Sequence, residues 1–169
     1  MPKQLYVVRH GIAIARGAWG GADETRPLTP KGKRRMRQVA RSLRRLGVEV
    51  DRIVTSPVLR ARQTAEILLG ELEPSGPLEN SSALHAESDP ITIREWLANQ
   101  DSDRLMIVGH NPSISELIAV LTTGASPEPF VDLGKGAVAA LAELSSTQQR
   151  YRLDWLLPAR LIRCLGRSR

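Results

Sequence analysis

The chain has 169 residues, a length at which one compact domain is expected and folding buries roughly 70% of the surface that the unfolded chain exposes. With 41% hydrophobic and 25% charged residues, a disordered, collagen-like or coiled-coil chain is excluded, and no apolar run approaches the 18 or so residues of a membrane helix. We therefore expect a single domain over residues 1–169. The first buried-looking segment begins at Gln4 and leaves no room for a signal peptide, so we expect a cytoplasmic protein. The single cysteine, Cys164, excludes an internal disulfide.

The formal charge of +6 comes from one segment, residues 31–45, which contains eight cations and no acid. Its cations are Lys31, Lys33, Arg34, Arg35, Arg37, Arg41, Arg44 and Arg45. The rest of the chain has 16 basic and 18 acidic residues, so it is close to neutral. Aromatic residues, at 4%, provide few platforms for base stacking. We therefore expect no nucleic-acid partner.

Strands and helices are predicted to alternate along the chain. Apolar runs at residues 5–8, 53–54 and 105–108 are typical of buried central strands, and residues 137–144 and 151–157 predict two further strands joined by a turn at 145–150. A cap-forming residue precedes proline four times, which predicts a helix start at each pair because proline fits the first helical position. These pairs are Thr29-Pro30, Ser56-Pro57, Asp89-Pro90 and Asn111-Pro112.

Two of the predicted helices carry an apolar stripe at three- and four-residue spacing. The first stripe is Met36, Val39, Ala40, Leu43 and Leu46, in a helix that ends near Gly47. The second is Ile114, Leu117, Ile118 and Leu121, in a helix that ends near Gly124. The pattern predicts a three-layer α/β fold, with a central, mainly parallel sheet flanked by helices. Ligands bind such sheets at the carboxyl ends of the strands.

Basic side chains follow three of these strands. Arg9 and His10 follow the first strand, Arg60 and Arg62 come shortly after the second, and His110 follows the third. Arginine presents a fork of donors that matches phosphate oxygens, and helix starts at Ser56 and Asn111 would add backbone N–H groups. The sequence therefore predicts a phosphate pocket, with Arg62 at its rim. A histidine in that pocket could attack phosphorus as a nucleophile.

Four motifs in this order resemble the histidine phosphatase, or phosphoglycerate mutase-like, superfamily, and within it the small SixA-type phosphohistidine phosphatases. They are LYVVRHG at 5–11, RPLTPKG at 26–32, TSPVLRARQTAE at 55–66 and VGHNP at 108–112. The resemblance implies that His10 is the phosphorylated nucleophile. It also implies that Arg9, His10, Arg60 and His110 bind the phosphate. We expect no cofactor, and we expect no metal because no cluster of carboxylates or cysteines at ligand spacing accompanies these histidines.

The family's proton donor is usually a glutamate before the third strand. Glu87 is the candidate here, with His85 nearby, although the SixA branch often lacks this acid and Ile12 replaces another acidic position. Without a general acid, the rate with an alkoxide leaving group falls by about 10² to 10⁴. Cleavage of phosphohistidine depends less on a general acid, because imidazole is a better leaving group than an alkoxide.

We therefore expect a hydrolase that removes phosphate from phosphohistidine on a protein. A small phosphomonoester, such as a sugar or nucleotide-related phosphate, is the alternative substrate. A non-catalytic phosphate- or nucleic-acid-binding module on the same fold is the alternative outside enzymes. The complete set of Arg9, His10, Arg60 and His110 argues against that second alternative.

Overall fold

The computed structural model describes residues 1–124, 131–145, 148 and 150–166, which contain one six-stranded sheet in the order β3-β2-β4-β1-β5-β6. Its strands are β1 (Gln4–Arg9), β2 (Arg52–Thr55), β3 (Leu78–Asn80), β4 (Arg104–Gly109), β5 (Val138–Ser145) and β6 (Arg150–Leu157). The first four run parallel to one another, β5 is antiparallel to β1, and β6 is antiparallel to β5. The predicted mainly parallel sheet with a final strand pair is confirmed. The predicted turn at 145–150 lies partly outside the described residues.

Helices cover both faces of the sheet. They are α1 (Pro30–Arg45), α2 (Leu59–Leu72), α3 (Pro90–Ala98), α4 (Ser113–Thr123) and α5 (Ala159–Leu165). Successive side chains of β1 alternate between the layers, so Leu5 and Val7 pack in a core with α3 and α4. Tyr6 and Val8 pack in a second core with α1, α2 and α5. The predicted three-layer α/β fold is confirmed.

Two of the four predicted helix starts are confirmed. Thr29 caps α1 by accepting the N–H of Gly32, and Asp89 caps α3 by accepting the N–H of Ile91. The predictions at Ser56 and Asn111 are wrong, because α2 begins at Leu59 and α4 at Ser113.

Both missed caps use their polar groups elsewhere. The backbone N–H of Ser56 still extends the sheet by bonding the carbonyl of Val108. The amide of Asn111 donates to Asp132 and to the carbonyl of Leu133 instead of capping a helix. A sequence pattern does not reveal such long-range partners.

The apolar stripe of α1 is buried except at its last member. Leu46 is 47% exposed, so its assignment to the core is wrong. The helix ends at Arg45, and the chain turns away at Gly47, whose φ of 75° suits glycine. The stripe of α4 is buried as predicted, and that helix ends at Gly124. Among the described residues, no helix combines the length and apolar character needed to span a membrane.

Candidate active site

The carboxyl ends of β1 and β4 bring two histidines together. The register pairs Arg9 with Gly109, and the N–H of His10 bonds the Gly109 carbonyl at 3.2 Å, so the residues that follow lie side by side. The rings of His10 and His110 are 5.1 Å apart between centroids. Both line a cavity of about 670 Å³ at this edge of the sheet.

The hydrogen bonds of His10 determine which of its two ring nitrogens carries the proton. Its Nδ1 lies 2.7 Å from the carbonyl oxygen of Gly11, and because a carbonyl only accepts, Nδ1 carries the proton. Nε2 is therefore the nitrogen with the free lone pair, and the Nε–H of Arg60 donates to it at 3.3 Å. Burial, followed by the nearby charges of Arg60, Arg9 and Lys135, lowers the pKa of His10 to about 3.

Arg60 is held from the side opposite His10 by a short turn of the chain. This guanidinium, only 5% exposed, donates from Nη1 to the carbonyl of Asp23 at 2.9 Å and lies 3.1 Å from the Asp23 carboxylate. Asp23 also contacts Arg16 and Arg26, at 3.2 Å and 2.9 Å. The hydrogen bond from Arg16 holds the pKa of the Asp23 carboxyl well below its usual range, and the hydrogen bond from Arg26 and the charge of Arg60 act in the same direction. Asp23 is therefore a fixed anion that orients three arginines.

Two further donors of the site are buried without a partner in the described structure. They are Nδ1 of His110 and Nε of Arg9. The other nitrogen of His110 lies 2.9 Å from Oγ of Ser56, and Arg9 Nη1 donates to the Leu133 carbonyl at 2.6 Å. In each of these side chains another nitrogen is already hydrogen-bonded, so His110 and Arg9 are held in fixed orientations beside the cavity.

Burial also lowers the pKa of His110 to about 3, with the neighbouring His10 as the next cause. Both histidines are therefore neutral at neutral pH, and the positive charge of the cavity comes from its arginines and Lys135. An anionic ligand would meet guanidinium groups and uncharged imidazoles in the same cavity.

The structure places the predicted residues Arg9, His10, Arg60, His110 and Glu87 around this cavity. Glu87 is exposed on its wall. His85 also lines the cavity, with its Nε2 3.5 Å from Oε1 of Glu24. Arg62 is not among the lining residues and lies 3.9 Å from Glu66 on the outside of α2.

Sequence reasoning missed Asp23 and Lys135. Asp23 lies in a short 3-10 turn, Asp23–Thr25, after a glycine-rich stretch with no periodicity. Lys135 precedes β5 in an irregular segment. The one available signal was the position of Asp23, three residues before the RPLTPKG motif.

Comparison with known proteins decides the family. The profile of the histidine phosphatase superfamily (branch 1) matches residues 5–87. The phosphohistidine phosphatase SixA of Escherichia coli (strain K12) is 31% identical over a region that covers 75% of this chain and 79% of SixA. This chain belongs to the histidine phosphatase superfamily.

Two further relatives match nearly the whole length of this chain. An uncharacterized protein of Picosynechococcus sp. is 35% identical over 92% of this chain and 99% of its own length. The solved structure of the protein histidine phosphatase SixA with tungstate superposes with a TM-score of 0.81 and 26% identity, over 94% of this chain and 99% of that one. The predicted superfamily and its SixA-like character are confirmed, and the chain is a hydrolase with phosphatase activity.

Proposed function

We propose that this phosphatase removes phosphate from phosphohistidine on a protein, through a phosphorylated His10. The observation that carries the proposal is the unprotonated Nε2 of His10, fixed by the Gly11 carbonyl and lying beside Arg60. The similarity to phosphohistidine phosphatase SixA supports this substrate class.

The proposed reaction has two displacement steps at phosphorus. In the first, the lone pair of His10 Nε2 forms a P–N bond while the P–N bond to the substrate imidazole breaks, and that imidazole leaves neutral because its other ring nitrogen already carries a proton. In the second, water attacks phosphorus and the bond to Nε2 breaks, and the protons of the water stay on the inorganic phosphate while His10 returns to its neutral form. The low pKa of His10 keeps Nε2 available for attack at neutral pH.

The surrounding donors stabilise the charge on the transferred group. In this proposal Arg60, Arg9 and His110, which line the cavity around His10, hold the equatorial oxygens that carry the charge of the transition state. Asp23 holds Arg60 from outside the cavity, so this guanidinium is oriented before the substrate binds.

A small phosphomonoester is the second candidate substrate, favoured by the two titratable side chains on the cavity wall. Glu87 and His85 line the same cavity as His10 and offer groups that could protonate an alkoxide. Glu87 is exposed to solvent, which leaves its carboxylate less constrained than the buried donors. The phosphohistidine substrate needs no such acid, and we favour it for that reason.

The nucleophile is tested by trapping the phosphorylated enzyme. With a ³²P-labelled aryl phosphate and a quench that avoids acid, the wild type should yield an acid-labile, base-stable adduct, and His10→Ala should lose both the adduct and turnover. His85→Ala, on the wall of the same cavity, is the matched control and should retain the adduct. Full activity in a folded His10→Ala variant would contradict the mechanism.

The substrate class is tested separately. The wild type should turn over a phosphohistidine-containing protein with a kcat/KM orders of magnitude above that for sugar phosphates measured in the same buffer. The reverse order would establish the small-molecule candidate instead.

A further inference from the structure

A second, smaller cavity opens beside Gly11, the residue that follows the proposed nucleophile. It has a volume of about 290 Å³ and lies between α1, the start of α5 and the segment before β5. Four cations line it: Arg35, Lys135, Arg160 and Arg163. No acidic residue is among its lining residues. We call it the basic cavity.

The basic cavity adjoins the active site. Lys135 lines both cavities, and its charge is one of those that lower the pKa of His10, after burial and the two site arginines. Gly11 lines the basic cavity, and its neighbour His10 lines the active site. The residues on either side of a phosphohistidine bound at His10 therefore lie within a short distance of the second cavity.

The floor of the basic cavity is apolar and tightly packed. Met36 lies there, only 2% exposed, and Pro158 and Ala159 line the cavity near it. A Cβ at Gly11 would lie 2.6 Å from Cγ of Met36, so the chain after His10 rests directly on this side chain. The cavity thus offers a fixed apolar surface surrounded by positive charge.

Most of the basic segment of α1 does not take part. Arg41 pairs with Glu71 at 2.9 Å, and Arg45 donates to the carbonyl of Gly166. Of the eight cations in this segment, only Arg35 lines the basic cavity, where it is half-buried. A binding role is therefore restricted to a few positions rather than spread over the whole helix.

We propose that the basic cavity binds acidic side chains that accompany the phosphohistidine in the protein substrate. This proposal rests on the proposed function above. Carboxylates complement the four cations, and the apolar floor suits an apolar residue between them. No aromatic side chain is among the lining residues, which disfavours stacking of nucleic-acid bases. The exposed ammonium of Lys135 and guanidinium of Arg160 suit flexible carboxylates on a protein surface.

Direct binding tests the cavity without catalysis. The probe is a fluorescein-labelled octapeptide of alternating glutamate and leucine, followed by anisotropy at low salt. We expect Arg35→Glu/Arg160→Glu to weaken its binding by about tenfold relative to the wild type. The control is Arg34→Glu/Arg44→Glu, which changes the net charge equally at two exposed positions of α1 outside the basic cavity and should bind like the wild type.

The same variants test the consequence for turnover. The ratio of kcat/KM for a phosphohistidine protein to that for an aryl phosphate should fall by about tenfold in Arg35→Glu/Arg160→Glu, and the fall should shrink in high salt. Arg160→Glu alone alters only an exposed residue and should show a smaller loss in the same direction. It keeps the test valid if the double variant unfolds at a lower temperature.

Three results would overturn the proposal. One is equal loss of peptide binding in the two double variants, and another is no loss in either. The third is tighter binding of inorganic phosphate or of a duplex oligonucleotide than of the peptide, with the same dependence on Arg35 and Arg160. If the peptide binds as expected but the phosphohistidine protein is not turned over, the basic cavity stands and the proposed function fails.

Discussion

Arg60 donates its Nε–H to Nε2 of His10 across 3.3 Å, so the lone pair proposed to attack phosphorus accepts a hydrogen bond in this structure. A phosphoryl group would offer Arg60 a stronger, charged acceptor. In the proposed reaction the guanidinium exchanges the imidazole for a phosphate oxygen, and the lone pair of Nε2 becomes free beside phosphorus. The proposal therefore gives Arg60 two roles, release of the nucleophile and binding of the group that it attacks.

Asp23 should act as the positioning residue for Arg60. In Asp23→Asn the carboxylate that lies 3.1 Å from Nη1 of Arg60 is lost, while the bond from Nη1 to the Asp23 backbone carbonyl can remain. We expect kcat/KM for an aryl phosphate to fall about 10- to 100-fold, because a small displacement of a catalytic group has a large effect on rate.

A double-mutant cycle separates positioning from general damage. If Asp23 acts through Arg60, adding Asp23→Asn to Arg60→Ala should cause little further loss of kcat/KM. Asp103→Asn, which removes a surface ion pair with Lys3, is a control that should leave the rate unchanged. Fully additive losses from Asp23→Asn and Arg60→Ala would show that the two residues act independently.

Stability should fall as the pH is lowered from about 6.5 toward 4. The folded-state pKa values of His10 and His110 are about 3, below the ordinary 6.5, so in this range the unfolded chain binds more protons than the folded chain. Each histidine then removes on the order of 1 kcal/mol of unfolding free energy per pH unit. Urea denaturation in phosphate-free buffers between pH 4 and 7 measures this slope. In His10→Asn the unfolding free energy should fall less steeply with decreasing pH, because one of the two buried histidines is gone. An unchanged slope would show that His10 is not buried in its neutral form.

Replacing Glu87 tests whether the site uses a general acid. Because Glu87 is exposed, we expect Glu87→Gln to change kcat for both an aryl phosphate and a sugar phosphate by less than about threefold. A loss confined to the sugar phosphate, whose alkoxide needs protonation, would identify Glu87 as the acid. An equally large loss with both substrates would point to a different role for Glu87.

Activity should not require a metal ion. Within the described residues, no group of three or more histidine, cysteine or acidic side chains is arranged to hold a metal. We expect turnover to survive dialysis against EDTA and to be inhibited by vanadate, which resembles the transferred phosphoryl group. Loss of activity in EDTA, restored by Mg²⁺ or Zn²⁺, would reverse this prediction.

The strongest local signals in the sequence predicted which residues the fold brings to one cavity. Arg9 ends a strand, His10 and His110 each follow a strand, and Arg60 lies in the first turn of a helix, so the rule that strand ends converge was enough to bring them together. The same rule did not fix the starts of α2 and α4. The backbone N–H of Ser56 and the side-chain amide of Asn111 have partners distant in the chain, which the local sequence pattern does not indicate.

Elements without a long periodic pattern were missed. The edge strand β3 has three residues and α5 has seven, both too short for a hydrophobic period to be visible. Asp23 lies outside regular helices and strands, and its contacts with Arg16 and Arg60 arise only from the tertiary fold. Lys135 belongs to two cavities that no local pattern indicates.

The strand that carries the nucleophile pairs only with strands from the second half of the chain. β1 lies between β4 and β5, whereas β2 and β3, which follow it directly in sequence, are separated from it by β4. During synthesis, residues 1–87 therefore emerge without any strand that pairs with β1. Such long-range pairing slows folding, because the intervening chain must be ordered before the contacts form. His110 also follows β4, so the cavity around His10 cannot be completed by the first half of the chain.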